Sequence, residues 1–276
     1  MRKYLNNFLI KRQSKPIKAS PPFNSIPRTI GAAPIILFLL TFFLFAFYSF
    51  AQQEAKKARV LVVTGCDYPG HEWKKTAPAL TNILAKDPRL QVEVLYDANK
   101  LGEVDLKQFD AVILHFMNWE TTSPPASARN NLQQFVKSGK GLMLIHFACG
   151  AWQDWDEFKN IAGRIWDPKT RQHDPRGEFL VEIVDKEHPI TRGLKDFQTY
   201  DELYTCLKGD APIKVLAKAR SKVDNKDYPM AFVLQYGEGR VFHTVLGHDV
   251  RALTNTLVPD LLRRGCDWVC GLNPDM

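Results

Sequence analysis

The chain has 276 residues, of which 45% are hydrophobic and 24% charged, and such values are typical of a globular protein. Its formal net charge of +7 originates at the N-terminus, because seven of the 37 basic residues lie within residues 1–51, which contain no acidic residue. The remainder carries 30 basic and 30 acidic residues, and this neutral balance argues against nucleic-acid binding.

The N-terminal segment has the pattern of an export signal. A basic region precedes an apolar run over residues 34–48, and Ser49-Phe50-Ala51 then offers a cleavage site between small residues. Because the basic region is long, an uncleaved signal anchor over residues 30–50 is the alternative to a cleaved signal peptide. Both alternatives predict an exported, periplasmic or otherwise extracytoplasmic protein that meets the membrane only through residues 1–51. We expect residues 55–273 to form one domain.

The first half of this domain alternates between strands and helices. Short apolar runs predict four strands, at residues 59–65, 90–96, 109–115 and 142–145. Helices are predicted over residues 74–85 and from Pro124-Pro125 to Ser138-Gly139, where proline opens and glycine closes the helix. This alternation of strands and helices favours a doubly wound α/β sheet.

The second half is richer in loops and in strands with alternating polarity. Strands are predicted at residues 179–184, 213–219, 231–235 and 240–246. Two glycines in Tyr236-Gly237-Glu238-Gly239 predict a hairpin between the last two strands. One short helix is predicted near residues 156–161, and one amphipathic helix over residues 253–269 closes the domain.

Four histidines follow the ends of predicted strands. His71 lies in the loop after the first strand, His115 and His146 end the third and fourth, and His248 follows the last. Since the carboxyl ends of parallel strands meet at one edge, we expect these side chains to converge there, with Glu202 as the nearby acid. Imidazole and carboxylate groups suit one divalent metal such as zinc, and His146 with Glu202 also suits acid–base catalysis. No His-x-x-x-His spacing is present, so metal binding, proton transfer and a structural role all stay open.

Tryptophans cluster in the segments that follow the strands of the first half. Five of the six belong to this group, namely Trp73, Trp119, Trp152, Trp155 and Trp166. Indole rings beside a polar crevice stack on sugar rings, while neighbouring polar groups bind hydroxyls. The alternative is that they seal loops onto the core.

Cys149 is the candidate nucleophile, since a cysteine beside glycine after a strand resembles a nucleophile elbow. His146 occupies the turn itself, three residues earlier, so the sequence argues against acyl transfer through a thiol. Five cysteines without a Cys-x-x-Cys pair predict buried free thiols. No glycine-rich phosphate loop follows the first strand, so we expect no nucleotide cofactor.

Several short segments occur in a fixed order along the chain. They are His71-Glu72-Trp73, Gly139-Lys140-Gly141 with His146, His188-Pro189-Ile190-Thr191, Asp201-Glu202-Leu203-Tyr204 and Gly247-His248-Asp249. Together they resemble the ThuA-like (trehalose utilisation) family over about residues 59–271. The resemblance implies a flavodoxin-like, class I glutamine amidotransferase-like fold: a three-layer α/β sandwich whose mostly parallel sheet carries added antiparallel strands.

The resemblance also implies a role in the catabolism of keto-glycosides or disaccharides. By this resemblance the site residues are His71, His146, Glu202 and His248, and they are the candidate ligands of one divalent metal. His146 and Glu202 are also the candidate catalytic residues. The candidate substrate-binding residues are Trp73, His115, Trp119, Trp152 and Asp249.

Three hypotheses follow. The first is an exported sugar-processing enzyme that performs metal-assisted hydrolysis, isomerisation or elimination. The second is a non-catalytic carbohydrate-binding module on an amidotransferase-like scaffold. The third is a true amidotransferase, which requires a reactive thiol at Cys149.

Overall fold

The computed structural model describes residues 56–274, and within them nine strands form one sheet. The strands are β1 (Ala58–Val63), β2 (Leu90–Leu95), β3 (Ala111–Leu114), β4 (Gly141–Ile145), β5 (Gly177–Ile183), β6 (Phe197–Asp201), β7 (Lys214–Arg220), β8 (Asp227–Tyr236) and β9 (Gly239–Thr244). Their order is β2-β1-β3-β4-β9-β8-β7-β5-β6. The first five in this order pair in parallel, and β8, β7, β5 and β6 are added by antiparallel pairing.

Helices cover both faces of the sheet. They are α1 (Trp73–Leu84), α2 (Ala126–Lys137), α3 (Phe158–Ala162), α4 (Val250–Leu253) and α5 (Val258–Val269). Successive strand residues point to opposite faces, so Val60 and Val62 pack with α1 and α5, whereas Leu61 and Val63 pack with α2 and α3. The two resulting cores confirm the predicted three-layer α/β sandwich.

Burial explains why the central strands were recognisable in the sequence. Every residue of β3 and β4 is buried, as expected of parallel strands covered on both faces, and each therefore forms an uninterrupted apolar run. This arrangement brings the carboxyl ends of β1, β3, β4 and β9 to one edge of the sheet.

Two predicted elements require correction. The closing helix predicted over residues 253–269 is two helices, α4 and α5, because Thr256 has a φ of +43° and Pro259 starts a new first turn. The strand β6 was missed, since its buried positions include polar Thr199 and Asp201 and its pattern is weakly apolar.

None of the helices within residues 56–274 has the length and apolar character needed to cross a membrane. The predicted signal peptide or anchor, residues 1–51, lies outside the described residues.

A buried carboxyl links α5 to the chain after α1 and makes stability depend on pH. Asp267 is fully buried and lies 3.1 Å from Arg89, which also pairs with Asp87. Burial, together with Asp87, raises the pKa of Asp267 to about 6. Because this value exceeds that of the unfolded chain, the contribution of Asp267 is fully present below about pH 4 and is lost as pH rises through 6.

We therefore expect the wild type to gain up to about 3 kcal/mol of unfolding free energy over Asp267→Asn as pH falls from 7.5 to 4.0. Urea unfolding of both proteins at the two pH values measures this difference. Asp156→Asn is the control, because Asp156 is an exposed aspartate outside α5, and this variant should keep the pH dependence of the wild type. A constant difference between the wild type and Asp267→Asn would contradict the assignment.

Candidate functional site

Four side chains converge at the carboxyl edge of the sheet. His71 comes from the loop between β1 and α1, His146 opens the 3-10 turn that follows β4, His248 follows β9, and Glu202 follows β6. Each side chain offers one ligand atom, and these atoms all lie within 4.8 Å of one another. The predicted set of metal-ligand candidates therefore shares one place.

The three imidazole rings form a nearly equilateral triangle, and the carboxylate of Glu202 contacts two of them. Ring centroids of His71 and His146 lie 5.1 Å apart, those of His71 and His248 5.0 Å, and those of His146 and His248 5.3 Å. The Glu202 Oε2 atom lies 3.5 Å from Nε2 of His146 and 3.2 Å from Nδ1 of His248. All four side chains thus face a common centre.

Local backbone strain aims His146 into this centre. Its φ of +47° lies in the left-handed region that a β-carbon disfavours, and such residues concentrate at functional sites. The Nδ1 atom lies 2.7 Å from the carbonyl oxygen of Val245, which can only accept, so Nδ1 carries the proton. The Nε2 atom consequently carries the lone pair, and it lies 3.5 Å from Oε2 of Glu202 and 3.0 Å from the Tyr204 hydroxyl.

The electrostatics of the cluster suit a cation. Burial, with the adjacent His146 and His248, lowers the pKa of His71 to about 2, so this imidazole is neutral. Burial raises the pKa of Glu202, but contacts with His146 and His248 outweigh it and hold the carboxyl below its ordinary value. Neutral imidazoles and an ionised carboxylate are the forms that bind divalent metals.

Unpaired buried nitrogens provide a second indication. Among the described residues, Nδ1 of His71 and Nδ1 of His248 have no hydrogen-bond partner, because the short contact between His248 and Glu202 lacks hydrogen-bond alignment. Buried polar atoms are nearly always paired, and unpaired ones are typical of a place that binds water or an ion. The residues present therefore fit a divalent metal, which would be held by His71, His146, Glu202 and His248.

Asp201, fully buried beside Glu202, fixes the position of two of the four side chains. Its carboxylate accepts hydrogen bonds from the backbone N–H groups of Glu202 at 2.8 Å, Gly247 at 2.7 Å and His248 at 3.2 Å. The end of β6 is thereby tied to the loop after β9. Asp201 was part of a recognised motif, but sequence reasoning gave it no role.

Replacing Asp201 with asparagine should cost about 1–3 kcal/mol of unfolding free energy, because the amide nitrogen would face the N–H of Gly247 as donor against donor. Urea unfolding measures the loss. Asp196→Asn is the matched control, since Asp196 is exposed, accepts one backbone N–H from Ile183, and keeps that acceptor as asparagine. Equal losses in the two variants would contradict this role for Asp201.

Two of the predicted substrate-binding residues are corrected by their burial. His115 is fully buried, bonds Thr64 through Nδ1 at 3.1 Å, and is separated from His71 by the ring of Phe147. Trp152 is fully buried in the core beneath the site. Neither side chain reaches solvent, and neither belongs to the group that faces the common centre.

The other three predicted substrate-binding residues surround the cluster. Trp73 is half-buried and bonds Asp67 in a pocket that also includes His71. Trp119 is half-buried in the segment after β3, and its ring lies 5.7 Å from that of Tyr68 in the loop after β1. Asp249 caps α4 and pairs with Arg176, so its carboxylate already has structural partners.

Cys149 does not have the properties of a nucleophile. Its thiol is fully buried, and burial raises its pKa well above the ordinary value for cysteine. Because the thiolate is the reactive form, the third hypothesis, a true amidotransferase, loses its chemical basis. A residue that the sequence analysis did not select is Tyr204, whose hydroxyl bonds His146 and whose pKa burial raises.

Comparison with known proteins identifies the family. The family model described as ThuA, trehalose utilisation, matches residues 59–269. The chain belongs to the ThuA family. A search of curated protein sequences finds no significant match.

Solved structures of ThuA-like proteins share the fold. A ThuA-like protein from Parabacteroides merdae is 24% identical with a TM-score of 0.70, covering 79% of this chain and 92% of its own. A second, from Bacteroides uniformis, is 20% identical with a TM-score of 0.63, covering 80% and 97%. A glutamine amidotransferase from Thermotoga maritima is 13% identical with a TM-score of 0.49, covering 78% and 99%. The chain thus shares the mixed α/β fold of the two solved ThuA-like proteins.

Proposed function

We propose that this ThuA family member is an exported, metal-dependent enzyme that acts on a carbohydrate. The observation that carries the proposal is the convergence of three imidazoles and one carboxylate within 4.8 Å. That ligand set suits zinc and related divalent ions. The family description, trehalose utilisation, supports a sugar as the substrate, and the segment at residues 1–51 supports export.

A bound divalent ion would supply Lewis acidity toward a carbonyl or hydroxyl oxygen of the sugar. Around that centre the chain positions groups that hold or move protons. Val245 fixes the tautomer of His146, and the Tyr204 hydroxyl, which can hold or release a proton, lies 3.0 Å from Nε2 of that residue. Glu202 is ionised and half-buried, so its carboxylate can hold a cation or accept a hydrogen bond from a substrate hydroxyl. This set fits hydrolysis, isomerisation or elimination on a keto-glycoside.

Elemental analysis of the full-length protein tests the proposal. The protein is purified in mild detergent on a tag without histidines and without chelator, so that neither adds nor removes metal. We expect near-stoichiometric zinc, manganese or iron, loss of that metal in Glu202→Gln, and its retention in His188→Gln, which lies outside the cluster. Keto-glycoside turnover is then measured with the identified metal. Absence of metal before and after reconstitution would refute the proposal.

The carbohydrate-binding module is the second candidate, and the tryptophan-lined pocket beside the cluster favours it. If the protein is a binding module, it should bind sugar without turnover, and His146→Ala should leave that binding unchanged. An enzyme predicts turnover that this substitution abolishes, so the same variant separates the two candidates.

A further inference from the structure

A pocket of about 570 Å³ lies between the segments that follow β3 and β4. Its volume falls within the range of about 300–1,000 Å³ that is usual for small-molecule sites. The residues that matter for its chemistry are Asn118, Trp119, Ser123, Asp154, Trp166 and Gln172. Indoles and short polar side chains thus share one concave surface, and none of these residues belongs to the cluster of metal-ligand candidates.

Two indoles form a fixed aromatic wall of this pocket. The rings of Trp119 and Trp166 lie 4.7 Å apart, and Trp119 is half-buried whereas Trp166 is buried. Trp119 rests directly on the backbone of Gly150, where an added β-carbon would lie 2.8 Å from the indole nitrogen. Because the ring is already held in place, a ligand that stacks on it orders little additional side chain.

Hydrogen-bonding groups lie next to this wall. The Asp154 carboxylate accepts from the Ser123 hydroxyl at 2.6 Å and from Arg129 at 2.5 Å, and Ser123 in turn accepts from Asn118 at 3.1 Å. The Asp154 side chain is 56% exposed, and each carboxylate oxygen has a second lone pair available. An oriented carboxylate beside an indole face suits a pyranose ring, which offers apolar C–H faces and hydroxyl donors.

Each of the two indoles in the pocket wall is linked to the cluster through one tyrosine. Trp166 contacts Tyr204 at 4.9 Å between ring centroids, and the Tyr204 hydroxyl bonds His146. Trp119 contacts Tyr68 at 5.7 Å, and Tyr68 lies 5.7 Å from His71. A ring bound in the pocket would therefore neighbour a ring held at the cluster.

We propose that this pocket binds the second sugar ring of a two-ring glycoside whose other ring reacts at the cluster. The substrate class is then a disaccharide or comparable glycoside, not a monosaccharide. The identity of the reacting ring rests on the proposed function, whereas the pocket itself rests on Trp119, Trp166 and Asp154.

Calorimetry on the full-length, metal-replete protein tests the pocket with trehalose, maltose and cellobiose against methyl α- and β-glucosides. At least one disaccharide should bind about tenfold more tightly than the methyl glucosides. Trp119→Ala should remove that advantage without changing metal content, and Trp119→Tyr should restore part of it. Asp154→Asn, at an exposed position, should weaken disaccharide binding about tenfold.

Trp268→Ala is the matched control. Trp268 is a half-buried tryptophan that packs on Arg240 at the start of β9, the opposite end of that strand from His248, and its loss should leave the disaccharide preference unchanged. The proposal is overturned if the wild type binds disaccharides no better than methyl glucosides, if it binds neither class, or if Trp119→Ala keeps the preference. A Trp119-dependent preference in a protein that holds no metal would support the pocket and refute the metal-dependent function.

Discussion

Replacing His146 with alanine is expected to remove metal binding and turnover together. The Nε2 lone pair of this residue faces the common centre, and the tautomer that exposes it is set by the bond to Val245. Loss of an outer partner alone typically lowers metal affinity about 10- to 100-fold, so loss of a ligand should cost at least about 100-fold. Titration with zinc or manganese into metal-free protein measures the affinity.

His115→Ala is the matched control for this substitution. Both histidines are fully buried and both follow a central parallel strand, but His115 lies behind the ring of Phe147, outside the cluster. We expect His115→Ala to lower stability while keeping stoichiometric metal, since it loses the hydrogen bond to Thr64 and the packing on Phe147 but no metal-ligand candidate. If the two variants lost metal affinity equally, the metal loss would reflect general damage to this edge of the sheet.

The carboxyl edge of the parallel strands could be predicted from the sequence because the central strands are buried along their whole length. The strands β3 and β4 are apolar throughout, so the histidines that follow them could be placed at strand ends without structural information. Parallel pairing brings His71, His146 and His248 to this edge, but it does not alone decide convergence, since His115 also follows a parallel strand and lies outside the cluster. A doubly wound α/β sheet and the edge that carries the cluster could therefore be predicted from local pattern, whereas the family fold was implied by the resemblance to ThuA-like proteins.

Other features depend on contacts that no local pattern encodes. The strand β6 is polar at two buried positions, and Asp201 is buried only because three backbone N–H groups from two segments satisfy it. Trp152 and Trp119 are the same residue type in similar segments, yet one lies in the core and the other lines a pocket. Which indole faces solvent is decided by tertiary packing.

Replacing Gly65 with alanine is expected to lower the free energy of unfolding strongly, and more than the same replacement at Gly139. Gly65 follows β1 and begins the loop that carries His71, and its φ of +110° is unfavourable for any residue with a β-carbon. An added β-carbon would lie 1.8 Å from the carbonyl oxygen of Tyr96. Because that atom belongs to the backbone next to β2, relief requires separation of two paired strands.

Gly139→Ala separates the two sources of this cost. Gly139 has a similar φ of +101°, but the nearest atom to an added β-carbon is the β-carbon of Glu238 at 3.6 Å. The backbone penalty alone should cost about 1–2 kcal/mol in Gly139→Ala, and the added clash should bring the loss in Gly65→Ala to about 3–5 kcal/mol. Urea unfolding measures both losses, and equal values would show that the contact with Tyr96 relaxes freely. Since Gly65 begins the His71 loop, Gly65→Ala should also weaken metal binding, whereas Gly139→Ala, at the opposite end of β4 from His146, should not.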